Sequence, residues 1–170
     1  ERETLQEVEK EAIFNLLNQV IKDIESYRRD EGKALEKDFL KRIDLIEGHL
    51  TSVIKIDPER SDKIEQKLRS ALDDLKIEVD TNRFEQELIF YLEKFDITEE
   101  KVRLKNHLDY FKEVMKNDFP NGKKLGFIAQ EMGREINTIG SKANHAELQK
   151  VVVQMKDELE KIKEQLLNVL

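Results

Sequence analysis

Asn144-His145-Ala146-Glu147-Leu148-Gln149-Lys150-Val151-Val152-Val153-Gln154-Met155-Lys156-Asp157-Glu158-Leu159-Glu160-Lys161-Ile162-Lys163-Glu164-Gln165-Leu166-Leu167-Asn168-Val169 reads as one helix from its opening residues. Asn144 to Glu147 has a capping-box-like pattern, in which a polar side chain takes up a free backbone N–H at the helix start. Leu148, Val152, Met155, Leu159, Ile162, Leu166 and Val169 then recur in steps of four and three. That spacing puts one apolar seam on a helix and keeps it facing a partner, the pattern of coiled coils and bundles.

The same period continues toward the N-terminus. Leu125, Ile128, Met132, Ile136 and Ile139 mark a preceding helix, closed by Gly140-Ser141-Lys142. Asp118-Phe119-Pro120-Asn121-Gly122 is the clearest loop. Before it, Asp96-Ile97-Thr98-Glu99 fits a helix start for a segment carrying Leu104, Leu108, Phe111 and Met115. Phe84, Leu88, Tyr91, Leu92 and Phe95 form another helical stripe. Asp57-Pro58 is expected to open a helix with Ile64, Leu68, Ala71, Leu72 and Leu75 on its apolar face, because Asp caps well and Pro suits a first turn. Upstream, Leu5, Val8, Ala12, Leu16, Val20, Ile24 and Tyr27 form one stripe and Phe39, Ile43, Ile46, Leu50 and Val53 a second, with Gly32 as a weak point or a break between them. The fold class is therefore all-α: long antiparallel coiled-coil-like helices over residues 1–80, followed by a helical bundle domain over residues 81–170.

Composition supports this and excludes much else. The chain has 170 residues, 38% hydrophobic and 39% charged, with 2 Pro, 6 Gly, no Trp and no Cys. Few breakers and narrow apolar stripes favour helices that complete their cores against partners, so a homo-oligomer is expected. Without cysteine there is neither a disulfide framework nor a thiolate metal site, which agrees with a reducing cytoplasm. No apolar run approaches the roughly 20 residues that span a bilayer. The chain opens at Glu1 inside a helical pattern and reads as a fragment lacking an N-terminal portion. Net charge is −7, but it is segregated: −6 over residues 1–80, −4 over 81–100, +4 over 101–145 and −1 over 146–170. A local basic surface is what a phosphate backbone requires, whatever the total.

Gly-rich phosphate loops, HExxH and GxSxG are absent, and the histidines are His49, His107 and His145. Catalysis would then rest on carboxylates, a histidine and a hard or intermediate divalent ion. Three clusters offer the side chains: Arg83 with Glu85 and Glu87; Asp96, Glu99, Glu100, Arg103 and His107; and Gln130 to Thr138, where Glu131 and Glu135 are expected to face away from the Met132/Ile136 stripe. Carboxylates and an imidazole from separate helices could converge on Mg²⁺ or Mn²⁺. On spacing alone, each cluster is equally an ordinary set of solvent-facing ion pairs. His145 reads simply as part of a helix start, and His49 lies beside Gly48.

Arg83-Phe84-Glu85-Gln86-Glu87-Leu88, Lys94-Phe95-Asp96-Ile97-Thr98-Glu99-Glu100 and Arg103-Leu104-Lys105-Asn106-His107 together resemble the opening of the YicC C-terminal domain. Gly122-Lys123-Lys124-Leu125-Gly126-Phe127 and Gln130-Glu131-Met132-Gly133-Arg134-Glu135-Ile136-Asn137-Thr138-Ile139-Gly140-Ser141-Lys142 match that family's most characteristic block. Gly133 stands where Asn is usual, Gly126 where an acidic residue is usual and Lys101 where an apolar one is. The resemblance implies a metal-dependent endoribonuclease acting on RNA as an oligomeric ring. It casts Glu99, Glu100, His107, Glu131 and Glu135 as catalytic, with Glu100, His107, Glu131 and Glu135 as ligands of Mg²⁺ or Mn²⁺. Arg83, Arg103, Arg134 and Lys142 would hold phosphate, and Asn137 and Ser141 would position RNA. RNA-turnover factors are further expected partners. The rival expectations are a non-catalytic RNA-binding adaptor and a structural coiled-coil module.

Overall fold

The computed structural model describes residues 6–74, 80–116 and 121–169, the side chain of residue 73 excepted. Asp118, Phe119 and Pro120 of the expected loop lie outside these residues, as do Leu5 and Leu75 of the two stripes. Among the described residues the chain is entirely helix and short links: α1 Glu7–Asp74, α2 Thr81–Phe95, α3 Thr98–Met115, α4 Gly122–Lys142 and α5 Ala146–Leu166. The all-α expectation holds. None of these helices is long and apolar enough to cross a membrane.

The chain divides into two compact units, Glu1–Phe39 and Leu40–Leu170. In the first, α1 keeps its apolar side chains in solvent, with Phe14 66%, Leu16 67% and Tyr27 69% exposed. Gly32 does not interrupt this helix.

The second unit, Leu40–Leu170, carries every candidate site residue singled out in the sequence. Its core is the set of stripes read from the sequence: Ile43, Ile46, Leu50 and Val53 of α1, Leu104, Leu108 and Phe111 of α3, Met132, Ile136 and Ile139 of α4, and Leu148, Val152, Met155 and Ile162 of α5 are all buried. Each such side chain contributes about 1.5–3 kcal/mol by leaving water. Helices α4 and α5 approach closely at Gly140, where an added Cβ would stand 3.0 Å from Val152 Cγ1. Charged pairs tie α1 to its neighbours: Arg42 to Glu158 of α5 at 2.9 Å, and Lys112 of α3 to Asp44 and Glu47, both at 2.8 Å. Lys112, together with Lys105, holds the Glu47 carboxyl below its ordinary range. Helix α2 runs antiparallel to the end of α1, since Arg69 reaches Glu85 at 3.2 Å while Arg60 reaches the Phe95 carbonyl at 2.8 Å.

The expected helix start at Asp57-Pro58 is corrected: α1 continues through Pro58. Proline costs an interior helix a hydrogen bond to the carbonyl four residues back. Here that carbonyl belongs to Ile54, a residue that is half exposed. Asp57 is not a cap either. It is 7% exposed, and its carboxylate takes Arg60 at 2.7 Å and Lys101 Nζ at 2.6 Å. A tertiary ion pair outweighs the local start signal. The expected start at Asp96-Ile97-Thr98-Glu99 holds in position: α3 begins at Thr98 with Ile97 as its cap residue. Asp96, which closes α2, accepts at Oδ1 from the Thr98 backbone N–H at 3.0 Å and from its hydroxyl at 2.7 Å.

Candidate functional site

The residues picked out from the sequence are distributed over α2, α3 and α4. Arg83, Glu99, Arg103, Arg134, Asn137 and Ser141 are exposed, and His107, Glu131 and Lys142 are partly so. Several are joined in local pairs: Arg103 to Glu99 four residues earlier, and Arg134 to Glu131 at 2.6 Å. One long-range pair gathers two of them. Lys142 Nζ, at the end of α4, donates to Glu100 Oε1 at 2.7 Å and to the Asp96 carbonyl at 2.9 Å. This ties α4 to the α2–α3 corner. Glu100 is only 6% exposed, and its other oxygen, Oε2, is buried without a hydrogen-bond partner.

Glu135 differs from the expectation. It does not face away from the Met132/Ile136 stripe into solvent but is buried, 9% exposed. Among the described residues no three Asp, Glu or His side chains gather where they could hold a metal ion. Glu100, His107, Glu131 and Glu135 therefore do not by themselves form a ligand set within one chain.

A different place has the shape of a site. A pocket of about 370 Å³ is lined by Arg60, Lys63, Ile64, Lys67, Leu68 and Ala71 of α1, Tyr91 and Phe95 of α2, and Asn144 and His145 of the α4–α5 link. The cations and apolar residues of α1 alternate at helical spacing, so one face presents both. The Tyr91 and Phe95 rings lie 4.8 Å apart, tilted by 51°. His145 caps α5, its Nδ1 accepting from the Leu148 backbone N–H at 3.4 Å. With Nδ1 an acceptor, the ring proton of the neutral side chain sits on Nε2. Arg60 joins this pocket to the buried polar cluster, pairing with Asp57 while its Nη1 remains without an acceptor. The sequence signal existed in Arg60, Lys63 and Lys67, three and four residues apart beside Ile64, Leu68 and Ala71. Taken as a coiled-coil stripe, it gave no hint that Tyr91 and His145 stand opposite.

Fold and pocket together define an all-helical protein with a groove of cations and aromatic rings. A family model described as Endoribonuclease YicC-like, C-terminal, matches residues 53–170, and the chain belongs to that family. It is 37% identical over 171 residues to a protein of Clostridioides difficile named probable endoribonuclease YicC, a match covering 96% of this chain and 58% of that relative. A Haemophilus influenzae protein of the same name is 29% identical over 157 residues, covering 92% of this chain and 55% of the relative. The chain thus spans a little over half the length of these relatives.

Proposed function

We propose that the chain is part of an endoribonuclease that cleaves RNA phosphodiester bonds in the cytoplasm. The observation that carries this reading is the family match across residues 53–170, which covers all of α2 to α5. The exposed Arg83, Arg103, Arg134, Asn137 and Ser141 are the RNA contacts in this reading, acting chiefly on phosphates. Glu99, His107 and Glu131 are the solvent-accessible acid–base candidates. Lys142, engaged by Glu100 and the Asp96 carbonyl, holds the corner that places them. A divalent cation, Mg²⁺ or Mn²⁺, is the cofactor in this reading, although among the described residues one chain gathers no ligand set for it. Assembly into a homo-oligomer could bring such ligands together, with the exposed stripe of α1 as the adhesive face.

The test is cleavage of a labelled RNA during Mg²⁺ and Mn²⁺ titrations, comparing wild type with Glu131→Gln and His107→Ala. The expected outcome is metal-stimulated cleavage that falls about 100-fold or more in a variant lacking an acid–base group. RNA left equally intact by all three proteins while still bound would replace the nuclease with an adaptor. Absence of binding as well, at any salt concentration, would leave only a structural role.

A further inference from the structure

The pocket between α1, α2 and the α4–α5 link has a lining that neither a packing fault nor a solvated helix face accounts for. Its charged lining side chains, Arg60, Lys63 and Lys67, are all cationic, and no carboxylate lines it. We propose that it is a subsite for one unpaired nucleotide of an RNA strand, the base lying against Tyr91 and Phe95 and a flanking phosphate on Lys67 and Lys63. This rests on the reading of the chain as RNA-acting and adds where a single strand is gripped.

Four observations converge. The pocket's volume of about 370 Å³ falls within the roughly 300–1,000 Å³ of small-ligand sites. Tyr91 is 41% exposed beside it, so a flat ring is available for stacking without unpacking the core. The cations differ in readiness: Lys63 is held by Glu59 at 2.6 Å and Arg60 by Asp57, whereas Lys67 has no ion pair among the described residues. Lys67 is therefore the first phosphate contact. Finally, Arg60 is 2% exposed and its Nη1 lacks any acceptor, a condition that an anionic occupant would relieve after a small side-chain shift. His145 Nε2–H and the Asn144 amide supply donors for a base edge or a ribose hydroxyl. A base paired within a duplex must first be unstacked and unpaired to enter such a pocket, which favours a single-stranded ligand.

The experiment titrates the full chain by NMR and calorimetry with uridine 5′-monophosphate, uridine, inorganic phosphate, a single-stranded RNA 12-mer and the same RNA as a blunt duplex. Wild type is compared with Lys67→Glu and Tyr91→Ala, both at exposed positions, after thermal melts establish that each is folded. The expected result is binding of the monophosphate more tightly than of uridine or phosphate, with signals of Tyr91 and Phe95 perturbed. Each variant should weaken 12-mer binding about 10-fold. Lys67→Glu should also reduce its salt dependence. Phosphate binding as well as the monophosphate would overturn the base contact, and duplex binding as well as the 12-mer would overturn the single-strand assignment. Variants that bind the 12-mer like wild type would remove the subsite but leave the RNA reading standing. A wild type that binds no RNA at low salt would remove both.

Discussion

Gly126 and Gly133 lie seven residues apart on α4, and their surroundings differ in ways that decide what a side chain would do there. No atom lies within 4 Å of a Cβ built on Gly126, whereas one on Gly133 would stand 3.3 Å from Leu159 Cδ2. Gly126→Ala should therefore stabilise the protein by about 0.5–1 kcal/mol through helix propensity alone. Gly122→Ala should act in the opposite direction, losing about 1–3 kcal/mol, because its Cβ would meet the Val169 backbone oxygen at 2.7 Å. Urea unfolding with an unchanged slope measures both, and a shift of the same sign in the two variants would contradict the contacts. At Lys101 the deciding surroundings are a charge: its ammonium supplies the second partner of the buried Asp57.

Helices are held to one another here by charges placed at their margins as well as by the apolar stripes. The Asp57–Arg60 pair is buried, and Arg60 also reaches the last carbonyl of α2. Arg60→Met should cost about 3 kcal/mol by stranding Asp57 with Lys101 alone, and adding Asp57→Asn should restore part of that loss. A double-mutant cycle reads the coupling, and purely additive losses would show that the pair is not the cause. Between α1 and α3 the relevant variable is pH. Glu47 titrates below an ordinary carboxylate because Lys112 and then Lys105 donate to it. Its contribution is present above the unfolded carboxylate value and is lost as pH falls through the lower folded value. Glu47→Gln should therefore lower stability modestly at neutral pH and flatten the acid side of the stability profile, with salt weakening the effect because the group is one-third exposed. An unchanged acid slope would rule Glu47 out as a contributor. The helices and core were legible in the sequence because apolar residues at 3.6-residue spacing have one economical burial. Pro58 was not, since Asp-Pro gives a start signal locally and the competing Lys101 lies 44 residues away. The pocket was invisible for a related reason: three elements compose it, and each carries only a fragment of its chemistry. Glu135 was misplaced because its neighbours on α4 suggested a solvent face while the packing encloses it.

At the scale of the whole molecule, the net charge of −7 coexists with a cationic pocket, so any affinity for an anionic polymer would be local and salt-sensitive. The other large-scale feature is the apolar stripe of the first unit. If it joins copies of the chain, Leu16→Glu combined with Ile24→Glu should lower the mass seen by sedimentation velocity while leaving the second unit folded. An unchanged sedimentation coefficient would exclude the stripe as the joining surface. Leu16 at 67%, Ile24 at 53% and Tyr27 at 69% exposure give this part of α1 little burial of its own to offset its chain entropy. Its helicity then becomes a matter of mass action: dilution removes the partner, and the helical circular dichroism signal should fall with protein concentration before the bundle melts. For residues 7–31, folding would be a reaction of higher order, with a midpoint that has meaning only when the protein concentration is stated.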